Sequence, residues 1–157
     1  MLVGPRVVFM RFQSSASPKL VPWLNHTSRV IGVPIAVSQE VIENLVVWQL
    51  VSANNRELAR GIGAHDSFDD AQANASRVAE SGDERVVELV SNSARGDYGW
   101  FVTIDGAPVM TCARWYFTDR DRKHSIDLAL KSISIAQLHT GTRLSDPALM
   151  AGDREYR

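Results

Sequence analysis

Hydrophobic and polar positions fall into two similar blocks along this chain. In the first, an apolar run from Val46 to Ser52 is followed by Asn54-Asn55 and by a second run over Glu57 to Ala64. Ser67-Phe68-Asp69-Asp70 then opens a stripe in which Ala71, Ala75 and Val78 recur at helical intervals. The second block repeats the plan with Trp100 to Ile104, Asp105-Gly106, Pro108 to Tyr116, and Thr118-Asp119-Arg120-Asp121 ahead of Ile126, Ala129, Leu130 and Ile133. Short apolar runs divided by turn residues predict hairpins, and spacings of about three and four predict amphipathic helices. Asn54-Asn55 and Asp105-Gly106 suit tight turns because Asn, Asp and Gly tolerate positive φ. Ser67 with Asp70, and Thr118 with Asp121, have the spacing of a capping box, in which a hydroxyl accepts from an orphan amide of the first turn. Gly82 suits the end of the first helix.

A leading strand precedes each hairpin: Val33 to Val37, within a run from Val30 that Pro34 interrupts, and Val86 to Val90. The reading is an α+β protein of two tandem βββα repeats, with an antiparallel sheet and its helices on one face. One such unit cannot cover both faces of its sheet, so two units are expected to share a core. The predicted organisation is an N-terminal extension over 1–30, repeat one over 31–82, repeat two over 83–137 and a flexible tail over 138–157. Arg6 to Gln13 has strand composition and could be an edge strand, but no turn ties it to a neighbour. Leu20 to His26 shows no clear period, and Ser38 to Asn44 reads as a helical turn or a loop.

Trp48, Asn54, Leu58, Ala59 and Ser67 in the first block, with Trp100, Gly106, Val109, Tyr116 and Thr118 in the second, resemble the YegP-like family of small bacterial tandem-repeat proteins. The resemblance spans roughly Pro34 to Ile135. It departs at His65, where the family places Tyr, and at Asn55, where the family places Gly. It implies a fold and no catalytic residues, because the family is one of unknown function.

Composition adds limits. The chain has 157 residues, 45% hydrophobic and 22% charged, with a net charge of -1. That is ordinary globular usage. Near-neutral charge disfavours nucleic acid as a partner, although a local basic patch can survive inside a balanced total. The single cysteine, Cys112, allows no intramolecular disulfide, and a cytoplasmic location fits it best. No stretch approaches the roughly 20 apolar residues of a membrane span.

Candidate chemistry is sparse. His65 and Tyr116 hold equivalent places at the ends of the third strands. With Arg114 they could line a ligand cleft between the repeats. Arg120, Arg122 and Lys123 could form a docking patch for a partner. Cys112, between Thr111 and Ala113 in a strand, reads as a packed side chain, and His26, His65, His124 and His139 lack helical metal spacing. No catalytic residue, metal or cofactor is indicated. The expected function is a non-enzymatic protein-interaction or structural module, with homodimerisation through strand edges possible. Small-ligand binding or weakly recognisable enzymatic activity in the cleft is one alternative, and nucleic-acid binding by the sheet is another.

Overall fold

From Leu45 to Val51 only Gln49 is not apolar, the composition of a strand covered on both faces. In the computed structural model, which describes residues 4–33 and 43–144, this stretch lies inside a seven-stranded sheet. The elements run β1 (Arg6–Ser14), α1 (Leu20–Ile31), β2 (Glu43–Val51), β3 (Glu57–Gly61), α2 (Phe68–Glu80), β4 (Val86–Asn92), β5 (Asp97–Ile104), β6 (Ala107–Cys112), α3 (Asp119–Ile135) and β7 (Gln137–Leu144). Across the sheet the order is β4-β5-β6-β3-β2-β1-β7. The β3–β6 pairing, Ala59 opposite Cys112 and Gly61 opposite Met110, joins the two halves antiparallel. The architecture is α+β.

Alternation along β2 separates two cores. Val46, Trp48 and Leu50 pack with Ala71, Ala75 and Val78 of α2 and with Ala129 and Ile133 of α3. Leu45 and Val47 pack instead with Phe12 of β1 and with Leu20, Trp23 and Leu24 of α1. Successive side chains of a strand point to opposite faces, so α1 covers the face that α2 and α3 leave open. Helices were expected on one face only. The doubly buried β2 required a second cover, and α1 supplies it.

Three further expectations change. The run from Val30, read as the start of a strand, ends α1: Val30 is buried, and Gly32, at φ 78, closes the helix by donating its N–H to the Ser28 carbonyl. Residues 34–37 lie outside the described residues, as does most of the stretch from Ser38 to Asn44. Arg6 to Ser14, placed in an extension, is a strand as its composition suggested, but an interior one, paired along its length with β2 and on its other side with β7. The region after residue 137, expected to be a flexible tail, continues to Leu144 as β7, which pairs with β1 in parallel. The sheet is therefore mostly, not wholly, antiparallel. The hydroxyl half of each cap forms as read, with Ser67 Oγ accepting from the Asp70 amide at 3.1 Å and Thr118 Oγ1 from the Asp121 amide at 3.0 Å.

Candidate functional site

Beyond β3 and β6 the backbone keeps one further contact in each half. His65 exchanges two 2.8 Å backbone hydrogen bonds with Val46, and Tyr116 exchanges two of the same length with Tyr98. Those contacts fix each side chain at a strand-to-helix corner. In the first half, Trp48 Nε1–H donates to Asn74 Oδ1 at 2.8 Å. In the second, Trp100 Nε1–H donates to Ser125 Oγ at 3.0 Å, and Ser125 Oγ–H donates to the Tyr116 oxygen at 2.7 Å. A serine hydroxyl has one hydrogen. Because Ser125 spends it on Tyr116, the phenol keeps its own hydrogen to donate. Burial raises the Tyr116 pKa, partly offset by the Ser125 bond, so the group stays a neutral donor at physiological pH.

Tyr116 borders a cleft of about 460 Å³ between the β2–β3 hairpin and the corner where β6 leads into α3. Asn54, Arg56 and Glu57 supply polar groups from the hairpin, and Arg114, Asp121 and His124 supply them from the other side. Leu58, Trp115, Phe117 and Leu128 give it apolar surface. Phe117 is 86% exposed and Leu128 39%, so the apolar lining is open to an occupant. An Arg114 guanidinium N–H donates to the Glu57 carbonyl at 3.0 Å, which holds the arginine across the mouth. The Glu57 carboxylate is already engaged, accepting from Arg60 Nε at 3.0 Å and Nη2 at 2.9 Å.

Of the three residues expected to share a ligand site, the cleft brings together Arg114 and Tyr116 and leaves out His65. The His65 Nε2 is buried with no hydrogen-bond partner, and burial lowers its pKa, opposed by Asp70 and Asp66. Equivalence of position did not become proximity, because the corners of the two halves open at different places. The expected docking patch is also divided. Arg120 is exposed and Lys123 is ion-paired with Asp119 at 3.2 Å. Arg122 is only 6% exposed. It donates to the Val90 and Gly99 carbonyls at 3.0 and 3.5 Å, pairs with Asp119 and lies over the Tyr98 ring. It fastens α3 to β4 and β5, so it does not face a partner. Cys112 is fully buried, and burial raises its thiol pKa.

Sequence reading missed Phe117 and Leu128. The available signal was the aromatic directly before the Thr118 cap, where the first block has Asp66. Among the described residues no cluster of histidine, cysteine and carboxylate groups is placed to hold a metal ion, and no helix is long and apolar enough to cross a membrane.

The fold places the chain among α+β proteins built on a single mixed sheet with helices on both faces. Among solved structures it is similar to the solution NMR structure of yegP from E. coli, a protein of unknown function, with a TM-score of 0.50 and 12% identity over 94% of this chain and 95% of that one. At that identity the likeness is one of fold, and it agrees with the resemblance read from the residues. No protein-family model matches the chain, and no curated protein matches it. The similarity assigns no molecular function.

Proposed function

We propose that this protein is a non-catalytic binding module made of two strand-hairpin-helix units, and that the cleft where they meet takes a small organic ligand. The observation that carries this reading is the convergence on one open cleft of a free phenol donor, two arginines and a histidine around exposed apolar side chains. Sites for small molecules combine a largely apolar lining with a few placed polar groups. The units in this proposal are β1-β2-β3-α2, with α1 inserted after its first strand, and β4-β5-β6-α3. Support comes from the paired indole bonds of Trp48 and Trp100, the two matching caps and the two corner contacts. The buried lone cysteine is compatible with a reducing cytoplasm.

Amide chemical shifts under a fragment library test the ligand reading. Fragments that move Leu58, Tyr116 and His124 together, and bind roughly tenfold more weakly to Tyr116→Phe, a loss of about one charge-free hydrogen bond, are the expected result. A diverse library that moves none of these amides ends the reading. A second reading, homodimerisation, is favoured by one feature: the edge strand β4 exposes Val86 (51%) and Leu89 (57%), and an uncovered apolar edge invites pairing.

A further inference from the structure

On the face covered by α1, two adjoining hollows of about 460 and 570 Å³ run beside the helix and share Lys19, Pro22, Trp23 and Arg60. Arg114 and Trp115 border one of them and Arg143 the other. The groove is therefore lined by four cations, Lys19, Arg60, Arg114 and Arg143. Its one carboxylate among the described lining residues, Glu57, is already held by Nε and Nη2 of Arg60. The chain as a whole carries -1, so positive charge is concentrated here against a slightly negative remainder. The N-terminal end of α1 opens at the same place with no acidic residue in its first turn, and its dipole adds to the positive field.

Flat side chains are interleaved with those charges. The Arg60 guanidinium lies 3.8 Å over the Trp23 ring, and Trp115 stands edge-on to His26, with ring centroids 6.4 Å apart. Arg114 and Trp115 also border the cleft described above, where Phe117 is exposed. Cations thus continue round the end of the sheet toward an aromatic platform.

We propose that this groove is a docking surface for single-stranded nucleic acid, with phosphates following Lys19, Arg114 and Arg143, Arg60 holding Glu57 out of their way, and bases stacking on Trp115 and Phe117. A basic track with aromatic platforms is how proteins hold single strands without reading sequence. Bases inside a duplex are already stacked and could not use the platforms, which favours a single strand. An acidic peptide would use the cations but gain little from the aromatic faces. The proposal goes beyond the ligand reading, because Lys19 and Arg143 lie outside the cleft.

The test is fluorescence anisotropy of end-labelled oligo-uridylate and oligo-thymidylate, each roughly ten nucleotides long, with the full-length protein. With three phosphate contacts, affinity is expected to fall about twenty-fold between about 50 and 200 mM salt. Lys19→Glu and Arg143→Glu should each weaken binding roughly tenfold and flatten the salt dependence. Lys131→Glu, an exposed α3 position outside the groove, changes net charge equally and should leave affinity intact. Absence of binding to both oligonucleotides at low salt overturns the proposal, as does binding that the two groove variants leave unchanged. Displacement by poly-glutamate at matched charge would replace nucleic acid with an acidic polypeptide and overturn it too. Fragment binding in the cleft that persists in Lys19→Glu shows that the two readings stand or fall separately.

Discussion

At Gly61 an added β-carbon would lie 2.3 Å from Trp48 Nε1. The glycine is there because the Trp48 indole crosses the backbone of β3 in contact with it, on its way to Asn74. Even a methyl group has no space, and Trp48 is 1% exposed with nowhere to move. Gly61→Ala is therefore expected to destabilise the fold by about 1–3 kcal/mol through overpacking, with a further contribution from the strained indole bond. Urea unfolding followed by tryptophan fluorescence measures it, and a midpoint equal to that of the parent would show that the indole has another place to go. This contact was not legible in the sequence. Gly61 could be aligned with Cys112 of the second block, but alignment says nothing about which ring lies across a strand.

Elements specified by neighbouring residues were the ones the sequence disclosed. Both hairpins, α2, α3 and their caps have signals within a few positions of each other, and the structure places them as read. Ser67→Ala and Thr118→Ala should each cost about 1 kcal/mol, detectable as a lowered thermal midpoint, and restored by Asp at the same position; no loss in either would mean that the first-turn acids suffice alone. α1 was hidden for a physical reason. Its buried positions Leu20, Trp23, Leu24, Thr27 and Val30 do have helical spacing, but Thr27 interrupts the apolar stripe, and its hydroxyl is satisfied by donating to the Trp23 carbonyl at 3.4 Å. The β-branched Val30 and Ile31 before Gly32 resemble a strand when read alone. β7 lacked a signal because its partner, β1, is at the other end of the chain, and Leu138 is its contribution to the core. The site was half legible for the same reason. Arg114 and Tyr116 belong to one corner, whereas the residues opposite them arrive from the β2–β3 hairpin.

For the molecule as a whole, mild acid should weaken the fold through two buried histidines. His26 and His65 both have pKa values lowered from 6.5, chiefly by burial; for His26 the bond from Nε2 to the Cys112 carbonyl, at 2.9 Å, only partly opposes it. Below about 6.5 the unfolded chain takes up protons that the folded chain refuses, so it binds more protons and stability declines as pH falls. Above that range both histidines are neutral in either state and the effect is absent. Asp119, whose pKa is lowered by hydrogen bonds from Arg122 and Lys123, acts in a separate and more acidic window, where its contribution is lost as pH falls through its folded value. Denaturation midpoints at about pH 7.5, 6.5 and 5.5 should fall progressively, and His26→Gln should flatten the profile. A midpoint constant over that range would show that neither imidazole is kept neutral by the fold.

The parallel pairing of β1 with β7 sets an order of events on the ribosome. Strand β1 is made before the other strands of the sheet, yet one of its two edges has no partner until the stretch from Gln137 to Leu144 has been synthesised. Until then the nascent sheet ends in an open edge, the kind of surface that pairs with a second chain. Contacts between distant parts of a chain form late because a long loop must close first. Completion of the sheet is thus tied to the synthesis of β7, and the interval before β7 emerges is when the unfinished sheet is most exposed to joining a neighbour of its own kind.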